Sequence, residues 1–206
     1  MEKSKKHIRR LRGEKVSLAI LNPELADRFT VWINDLEVSH YLTSAPNLYS
    51  MPLEKQIIDK MAMSTDPTFI ILDNEYDKMI GICSLHNLDY VNRTAELGIF
   101  IGDKNYWGEG FGVGAINLLL DHAFNIANLN SVMLETYGYN TRAQRCFEKC
   151  GFKVIGSRRQ ARLFAGVYHD VIFMDILAEG FESLYVKPML ERHKRGDSGK
   201  SKLEIL

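Results

Sequence analysis

Four glycines at alternate positions, Gly108, Gly110, Gly112 and Gly114, form the stretch of this sequence best suited to chemistry. They follow an apolar run over residues 97–101 that predicts a strand, and they precede an apolar segment that predicts a buried helix. Glycines let the main chain approach a ligand without an intervening Cβ atom, and the free N–H groups at a helix N-terminus attract anions. The pattern therefore predicts a main-chain cradle for a phosphate or a pyrophosphate.

The glycine spacing alone leaves the ligand open. Gly110-x-Gly112-x-x-Ala115 fits the dinucleotide fingerprint, but residues 102–107 separate it from the strand that should precede it directly. A P-loop would require Gly-Lys-Ser or Gly-Lys-Thr, and neither occurs in this stretch. A glycine-rich turn that binds nothing is the third interpretation. Four glycines destabilise the start of a helix, however, so this interpretation leaves their presence without a function.

Hydrophobic periodicity predicts a mixed fold of class α+β around this loop. The predicted strands cover residues 16–20, 68–72, 79–85, 94–101, 131–137, 152–155 and 167–177. The predicted helices are one that begins after Asn22 and others over residues 53–63, 112–127 and 140–150. Because three strands follow one another between the second and third helices, we expect an antiparallel meander and not a doubly wound sheet.

Composition indicates one domain of an ordinary globular protein. The 206 residues are 46% hydrophobic and 25% charged, and we expect a single domain over residues 1–180 with a polar, basic and partly flexible extension over residues 181–206. No apolar run approaches the roughly 18 residues of a membrane span, and no signal-peptide core follows the start. The three cysteines form no disulfide framework, so the predicted location is the cytoplasm.

The charge distribution and the histidines exclude other kinds of site. The net charge is zero, but residues 1–15 and 183–202 are basic, which leaves 13 positive and 22 negative groups in the rest of the chain. This acidic body favours a cationic partner over nucleic acid. The histidines lack the spacing of metal ligands, so no metal site is expected.

Two spaced motifs resemble the GCN5-related N-acetyltransferase (GNAT) family. Residues 107–112 occupy the place of that family's acetyl-CoA pyrophosphate loop, Gln/Arg-x-x-Gly-x-Gly/Ala. Asn140-x-x-Ala143, followed by Gly151-Phe152, resembles its second cofactor motif. The resemblance implies a mostly antiparallel central sheet flanked by helices, with a splayed pair of strands that binds the cofactor.

Two further segments, residues 11–15 and 32–38, resemble the branch of that family that acetylates N-terminal residues of ribosomal proteins. The likeness covers about residues 8–178. It implies an enzyme that transfers an acetyl group from acetyl-CoA to a primary amine, either a protein N-terminus, a polyamine or another small amine. The implied partners are acetyl-CoA, the amine acceptor and a second copy of the chain in a homodimer, with neither nucleic acid nor a membrane.

The resemblance also assigns residues to the cosubstrate. The main chain of β-strand residues 99–101 would pair with the pantetheine amides, and N–H groups of the glycine loop would hold the pyrophosphate. The implied cofactor-binding residues are Ile99, Phe100, Ile101, Trp107, Gly108, Glu109, Gly110, Phe111, Gly112, Val113, Gly114, Asn140, Ala143, Phe147 and Lys149. Arg142 and Arg145 are further candidates for the outer phosphate.

Glu96 and Asn140 are the implied catalytic residues. A protonated amine cannot attack a thioester, so a base must take its proton, and Glu96 resembles the glutamate that serves this purpose in the family. Asn140 would face the thioester end, and a main-chain N–H near residues 99–101 would stabilise the oxyanion.

One position departs from the family pattern. Many members carry a tyrosine seven residues after the asparagine, as the acid for the departing thiolate, and this chain has Phe147 there. Another group, such as Tyr137, Tyr139 or Tyr168, would have to replace it, or the thiolate leaves unprotonated, or the activity is weak or lost. A covalent acetyl-Cys146 is conceivable, although Cys146 and Cys150 at helical spacing are more typical of core packing.

Two other classes of function stay open at this point. Loss of the acid at Phe147 is also compatible with a module that binds acetyl-CoA without catalysis. A Rossmann-type oxidoreductase is the more distant alternative.

Overall fold

The computed structural model of the protein describes residues 7–42 and 47–194. Within these residues one sheet contains the strands β1 (Arg9–Arg12), β2 (Val16–Ile20), β3 (Thr68–Asp73), β4 (Lys78–Asp89), β5 (Thr94–Ile101), β6 (Ser131–Tyr137), β7 (Lys153–Phe164) and β8 (Val167–Leu177). Their order is β1-β2-β3-β4-β5-β6-β8-β7, and every neighbouring pair runs antiparallel except β5 and β6. The predicted mixed, mostly antiparallel fold is confirmed.

Helices cover both faces of the sheet. They are α1 (Ala26–Asn34), α2 (Leu36–Ser39), α3 (Met51–Met63), α4 (Phe111–Asn125), α5 (Thr141–Lys149) and α6 (Val186–Lys194). One apolar cluster joins α4 and α5 to the sheet, and a second cluster joins α1 and α3 to it. Because strand side chains alternate between faces, the two clusters lie on opposite sides. No helix in the described ranges combines the length and apolarity needed to cross a bilayer.

The sheet opens between β5 and β6. These parallel strands pair over only three positions, and the last pair is Glu96 with Met133. Beyond it, β5 continues to Ile101 along β4, while β6 continues to Tyr137 along β8. The two strands therefore diverge into a V-shaped gap just after Glu96, as the predicted splayed strand pair requires. The gap exposes main-chain groups of both strands at the centre of the sheet.

The last hairpin is longer than the sequence pattern predicts. The expected first arm covers residues 152–155, whereas β7 extends from Lys153 to Phe164. Most of β7 is exposed, because it is the edge strand of the sheet and none of the described helices covers it. An edge strand without a buried face lacks the alternation of apolar residues by which strands are recognised.

The N-terminal helices also begin differently from the prediction. Asn22 caps a short 3-10 turn, Pro23–Leu25, before α1 starts at Ala26. Helix α3 starts at Met51, two residues earlier than predicted, because the Ser50 hydroxyl accepts the N–H of Leu53. The four-residue helix α2 is too short to produce a helical period in the sequence.

A buried carboxylate holds the C-terminal segment against α4. Asp121 is fully buried and accepts hydrogen bonds from the Ser183 hydroxyl at 2.6 Å and from the main-chain N–H groups of Tyr185 at 2.9 Å and Val186 at 3.1 Å. The carboxylate thus caps the first turn of α6 from another helix. The predicted extension from residue 181 is folded against the domain at least as far as Val186, and its part over residues 195–206 lies outside the described residues.

Candidate active site

A cleft of about 550 Å³ occupies the gap between β5 and β6. Its walls are the diverging halves of the two strands, the loop before α4 and the first turns of α4 and α5. The cleft passes through the sheet, because its lining includes Ile116 and Phe147 on the α4 face and Val38 on the α1 face. A ligand in the cleft can therefore present one end to each side of the sheet.

The glycine loop lies at the N-terminus of α4. Gly108 and Gly110 have φ angles of +83° and +86°, in the left-handed region that glycine adopts without strain. A Cβ atom at either position would meet nothing within 4 Å, so it would enter open space at the cleft. The N–H groups of the first helical turn have no partner within a helix. The loop thus offers main-chain donors, unobstructed space and the positive end of α4, which fits a pyrophosphate.

Three residues that the resemblance assigns to the cofactor do not line the cleft: Glu109, Phe111 and Gly114. The Gly114 N–H donates to the Gly110 carbonyl at 3.0 Å, so it closes the helix and is not free for a phosphate. The Phe111 ring packs edge-on against Tyr106, with centroids 4.8 Å apart. The Glu109 carbonyl accepts from the Lys15 ammonium group at 3.2 Å.

The other assigned residues come together at the cleft. They are Ile99, Phe100, Ile101, Trp107, Gly108, Gly110, Gly112, Val113, Asn140, Ala143, Phe147 and Lys149. The Ile101 carbonyl already accepts from the Trp107 indole at 2.8 Å. The Phe100 carbonyl points toward β4, where it would meet a Cβ atom at Gly81, so the main chain of Phe100 is not available to a ligand. Ile99 is left as the available main-chain partner on this part of β5. Arg145 and Lys149 add positive charge on the same side as the glycine loop.

Asn140 and Phe147 lie on α5. The Asn140 side-chain oxygen accepts the Ala143 N–H at 3.2 Å and so caps the helix, as predicted, which leaves the amide nitrogen as its available donor. Phe147 is buried and packs edge-on against Phe152, with centroids 5.9 Å apart. Phe147 therefore contributes apolar wall to the cleft.

Glu96 occupies the base of the gap, where β5 and β6 part. Glu96 and Phe100 are four residues apart on β5, so their side chains point to the same face of the sheet. The Phe100 ring packs with the α1 cluster, and the Glu96 side chain is therefore on the α1 face. The carboxylate accepts from the Asn87 amide at 3.0 Å and lies 3.5 Å from His86 Nε2. Both partners come from the bulged end of β4. A base candidate thus faces the side of the sheet opposite the glycine loop.

The comparisons with known proteins agree with this geometry. A family model described as "Acetyltransferase (GNAT) domain" matches residues 16–153, which is more than half of the chain. The chain belongs to the GNAT acetyltransferase family. The resemblance predicted from the two motifs is confirmed, and this acetyltransferase uses acetyl-CoA.

Individual relatives support the family assignment over most of the chain. The putative ribosomal N-acetyltransferase YdaF of Bacillus subtilis is 30% identical over 175 residues, which cover 82% of this chain and 95% of that protein. Spermidine N(1)-acetyltransferase of Vibrio cholerae is 28% identical over 152 residues, which cover 69% and 87%. The crystal structure of a Vibrio cholerae spermidine N-acetyltransferase in complex with CoA and spermine has a TM-score of 0.74 and 26% identity, and covers 82% of this chain and 98% of that one.

The acetyltransferase carries an aromatic cluster where the cleft opens on the α1 face. Tyr41 and Tyr137 line the opening, and Tyr139 stacks on Tyr137 with centroids 5.4 Å apart. The Tyr139 hydroxyl donates to the His40 carbonyl at 2.7 Å. Burial raises the pKa of Tyr137, although the Arg162 guanidinium acts in the opposite direction. The hydroxyl of Tyr137 is therefore protonated at neutral pH.

Two guanidinium groups lie against this aromatic cluster. Arg142 lies 3.7 Å from the ring centroid of Trp107 and 5.2 Å from that of Tyr41. Arg162 lies 4.6 Å above the Tyr137 ring and donates to the Leu42 carbonyl at 3.3 Å. Arg142 was a candidate for the outer phosphate, but here it covers aromatic rings at the opposite opening.

Cys146 lies closer to the cleft than core packing would place it. It lines the cleft, and a Cβ atom at Gly112 would lie 3.3 Å from its sulfur. A hydrogen bond with Cys150 lowers the pKa of the Cys146 thiol, against the effect of burial. Cys150 itself is buried, as predicted, and the same hydrogen bond together with burial raises its pKa.

Several residues of the site were not predicted from the sequence, Tyr41 and Arg162 among them and above all His86. It lines the cleft directly opposite Glu96, across the β4–β5 pair. The signal available in the sequence was its position in the meander, ten residues before the predicted base. The spacing does not indicate a contact between His86 and Glu96 unless the register of β4 and β5 is known.

Proposed function

We propose that this GNAT acetyltransferase transfers the acetyl group of acetyl-CoA to the primary amine of a protein or peptide N-terminus. The observation that carries the proposal is the through-sheet cleft, with a main-chain anion cradle at one opening and a carboxylate with aromatic rings at the other. The match to YdaF, which is named as a putative ribosomal N-acetyltransferase, supports a protein acceptor. Free thiols at all three cysteines support the cytoplasm as the location.

The cosubstrate would lie along the α4 face of the cleft. Main-chain N–H groups over residues 108–113 would bind the pyrophosphate, the main chain of Ile99 would pair with a pantetheine amide, and the Asn140 amide would donate at the reacting end. Ala143 leaves room for the pantetheine arm, and Lys149 would offset phosphate charge. When bound, acetyl-CoA supplies an activated acyl group as a thioester.

The protein's own contribution to the reaction is to orient the amine and remove its proton. Glu96 lies where the cleft passes through the sheet, so an amine that enters from the α1 face approaches it directly. The carboxylate would take part in the deprotonation, while the aromatic rings of Tyr41 and Tyr137 would exclude water from the amine.

The charges at the acceptor opening favour a peptide over a polyamine. An ammonium group binds well to the face of a tyrosine ring, but here guanidinium groups lie against the faces of Tyr41 and Tyr137. The two guanidinium charges also offset the carboxylates of Glu96 and Glu135 in the same opening, so no net negative charge is left there to attract a polycation. The acidic body of the chain, which favoured a cationic acceptor, does not determine the charge at this opening.

An acceptor panel tests the proposal. We expect thiol release from acetyl-CoA with peptides whose N-terminal residue is small, and a kcat/KM at least about 10-fold lower with spermidine, a difference of about 1.4 kcal/mol. N-terminally blocked versions of the same peptides are the control and should not react. Faster acetylation of spermidine than of every peptide would contradict a protein acceptor, and no thiol release with any amine would contradict the proposed activity.

A homodimer is also proposed. Edge strand β7 has unpaired main-chain groups along one side, and its Val154 and Ile155 side chains are 57% and 56% exposed. An exposed edge with apolar side chains is a surface at which a second copy can add its own strand. We expect sedimentation velocity to give the mass of a dimer, and a monomer at all protein concentrations would contradict it.

A further inference from the structure

We infer that His86 is a catalytic residue, and that its imidazole, held by Glu96, receives the proton that the acceptor amine loses. The inference rests on the proposed N-acetyltransferase function and refines its chemistry. In this arrangement Glu96 orients and stabilises the imidazole and is not the final proton acceptor.

The pairing of His86 with Glu96 is built into the strands. The two residues face each other across the β4–β5 pair, with Nε2 of the imidazole 3.5 Å from the Glu96 carboxylate. A β-bulge follows His86, and Asn87 within it has a φ angle of +52°, which is uncommon for a residue other than glycine. The bulge directs the Asn87 amide to the other oxygen of Glu96 at 3.0 Å. Bulges and strained residues of this kind recur beside active sites.

The contact with Glu96 selects one form of the imidazole ring. A carboxylate accepts hydrogen bonds, so the nitrogen that faces it, Nε2, is assigned the proton of the neutral ring. Nδ1 then has a free lone pair. The ring lies over the main chain of β5 at Gly98, where a Cβ atom would lie 3.1 Å from Cε1 and 3.5 Å from Nδ1. A side chain at residue 98 would displace the ring, so glycine there keeps Nδ1 beside the cleft.

An imidazole is better suited than a lone carboxylate to this proton transfer. Base catalysis is most effective when the pKa of the base lies near the working pH, and imidazole is the side chain that ordinarily meets this condition. One proton moves from the acceptor ammonium to Nδ1, and the electron pair of the broken N–H bond stays on the amine nitrogen. The imidazolium that forms is stabilised by the negative charge of Glu96, as in other carboxylate–histidine pairs.

Other ionisable groups line the cleft but do not compete for His86. On the same opening they are Tyr41 from the segment after α2, Glu135 and Tyr137 from β6, and Arg142 from α5; near the glycine loop they are Tyr106, Arg145, Cys146 and Lys149. Among the described residues, Glu96 is the only one of opposite charge within salt-bridge distance of His86. The side chain of His86 is 39% exposed, so a substrate can reach it.

The variant His86→Gln separates a catalytic role from a structural one. Glutamine keeps an N–H donor beside Glu96 but cannot accept a proton at neutral pH. We expect kcat with a reactive peptide amine to fall by roughly 10²-fold, with the Kd for acetyl-CoA unchanged. The pH profile of kcat/KM should also differ from that of the wild type, because glutamine has no ring nitrogen that can take up a proton. The matched variant His7→Gln, outside the cleft, should retain the wild-type rate and pH profile.

The protein without ligand provides a second measurement. We expect the ¹⁵N chemical shifts of the neutral His86 ring to show the Nε2–H form in the wild-type protein, and a mixture of both forms in Glu96→Gln. An Nδ1–H ring in the wild type, or full activity and an unchanged pH profile in His86→Gln, would overturn the inference while leaving the acetyltransferase proposal intact. No acetylation by the wild-type protein would instead overturn the proposed function.

Discussion

Replacing Glu96 with glutamine is expected to lower kcat/KM for the acceptor amine by roughly 10²-fold, about as much as loss of His86, because the imidazole depends on this carboxylate. The substitution conserves size and retains an oxygen for the Asn87 amide, but it removes the negative charge 3.5 Å from His86 Nε2. The imidazolium then loses its counter-ion, and the ring loses the contact that fixes its orientation. Steady-state kinetics with saturating acetyl-CoA measure the effect.

The reason to expect a purely kinetic loss is the position of Glu96 on the α1 face, away from the glycine loop. Acetyl-CoA affinity, measured by calorimetry, should therefore stay at the wild-type value. Glu148→Gln is the matched control, because it removes one carboxylate from the exposed side of α5. Equal rates for Glu96→Gln and Glu148→Gln would remove Glu96 from the mechanism.

Replacing Gly110 with valine is expected to weaken acetyl-CoA binding by about 100-fold. Gly110 precedes α4 with a φ angle of +86°, which a β-branched residue adopts only with strain. Relief of that strain would turn the loop N–H groups away from the pyrophosphate, and hydrogen bonds to charged groups contribute about 1.5–3 kcal/mol each. Loss of one or two such bonds corresponds to the predicted change in Kd, which calorimetry measures.

Gly166→Val distinguishes loss of binding from loss of stability. Gly166, in the turn between β7 and β8, has a φ angle of +79°, and a Cβ atom there, as at Gly110, would meet nothing within 4 Å. Valine should therefore introduce similar strain at both sites, and urea denaturation should show similar losses in the free energy of unfolding. Only Gly110→Val should change the Kd for acetyl-CoA. Equal affinities in the two variants would show that the glycine loop does not bind the pyrophosphate.

The elements with a buried face were predictable from the sequence. Strand β6 has the predicted bounds, Ser131–Tyr137, and Asn140 caps α5 as predicted, because alternation and capping are local signals. The full length of β7 was not predictable, since an exposed edge strand has no apolar alternation. Helix α2 has only four residues, which is too few for a period.

The candidate site was predictable only where one motif contains it. The glycine loop and Asn140 are contiguous patterns, but the partner of Glu96 depends on strand register. Next to the turn between β4 and β5, Asp89 pairs with Thr94. If the strands kept this register without a bulge, His86 would lie opposite Leu97. The bulge shifts the pairing by one residue, and a shift of one residue exchanges the two faces of a strand. The bulge between His86 and Asp89 cannot be recognised from the pattern of hydrophobic residues.

The open seam between β5 and β6 also links folding to metabolism. A coenzyme that completes the hydrogen bonding of the seam binds the folded chain and not the unfolded one, so it adds free energy of unfolding, about 2.7 kcal/mol at a concentration 100 times its Kd. Such a gain is a sizeable fraction of the total stability of a small domain. The lifetime of this protein in a cell would then rise and fall with the supply of acetyl-CoA.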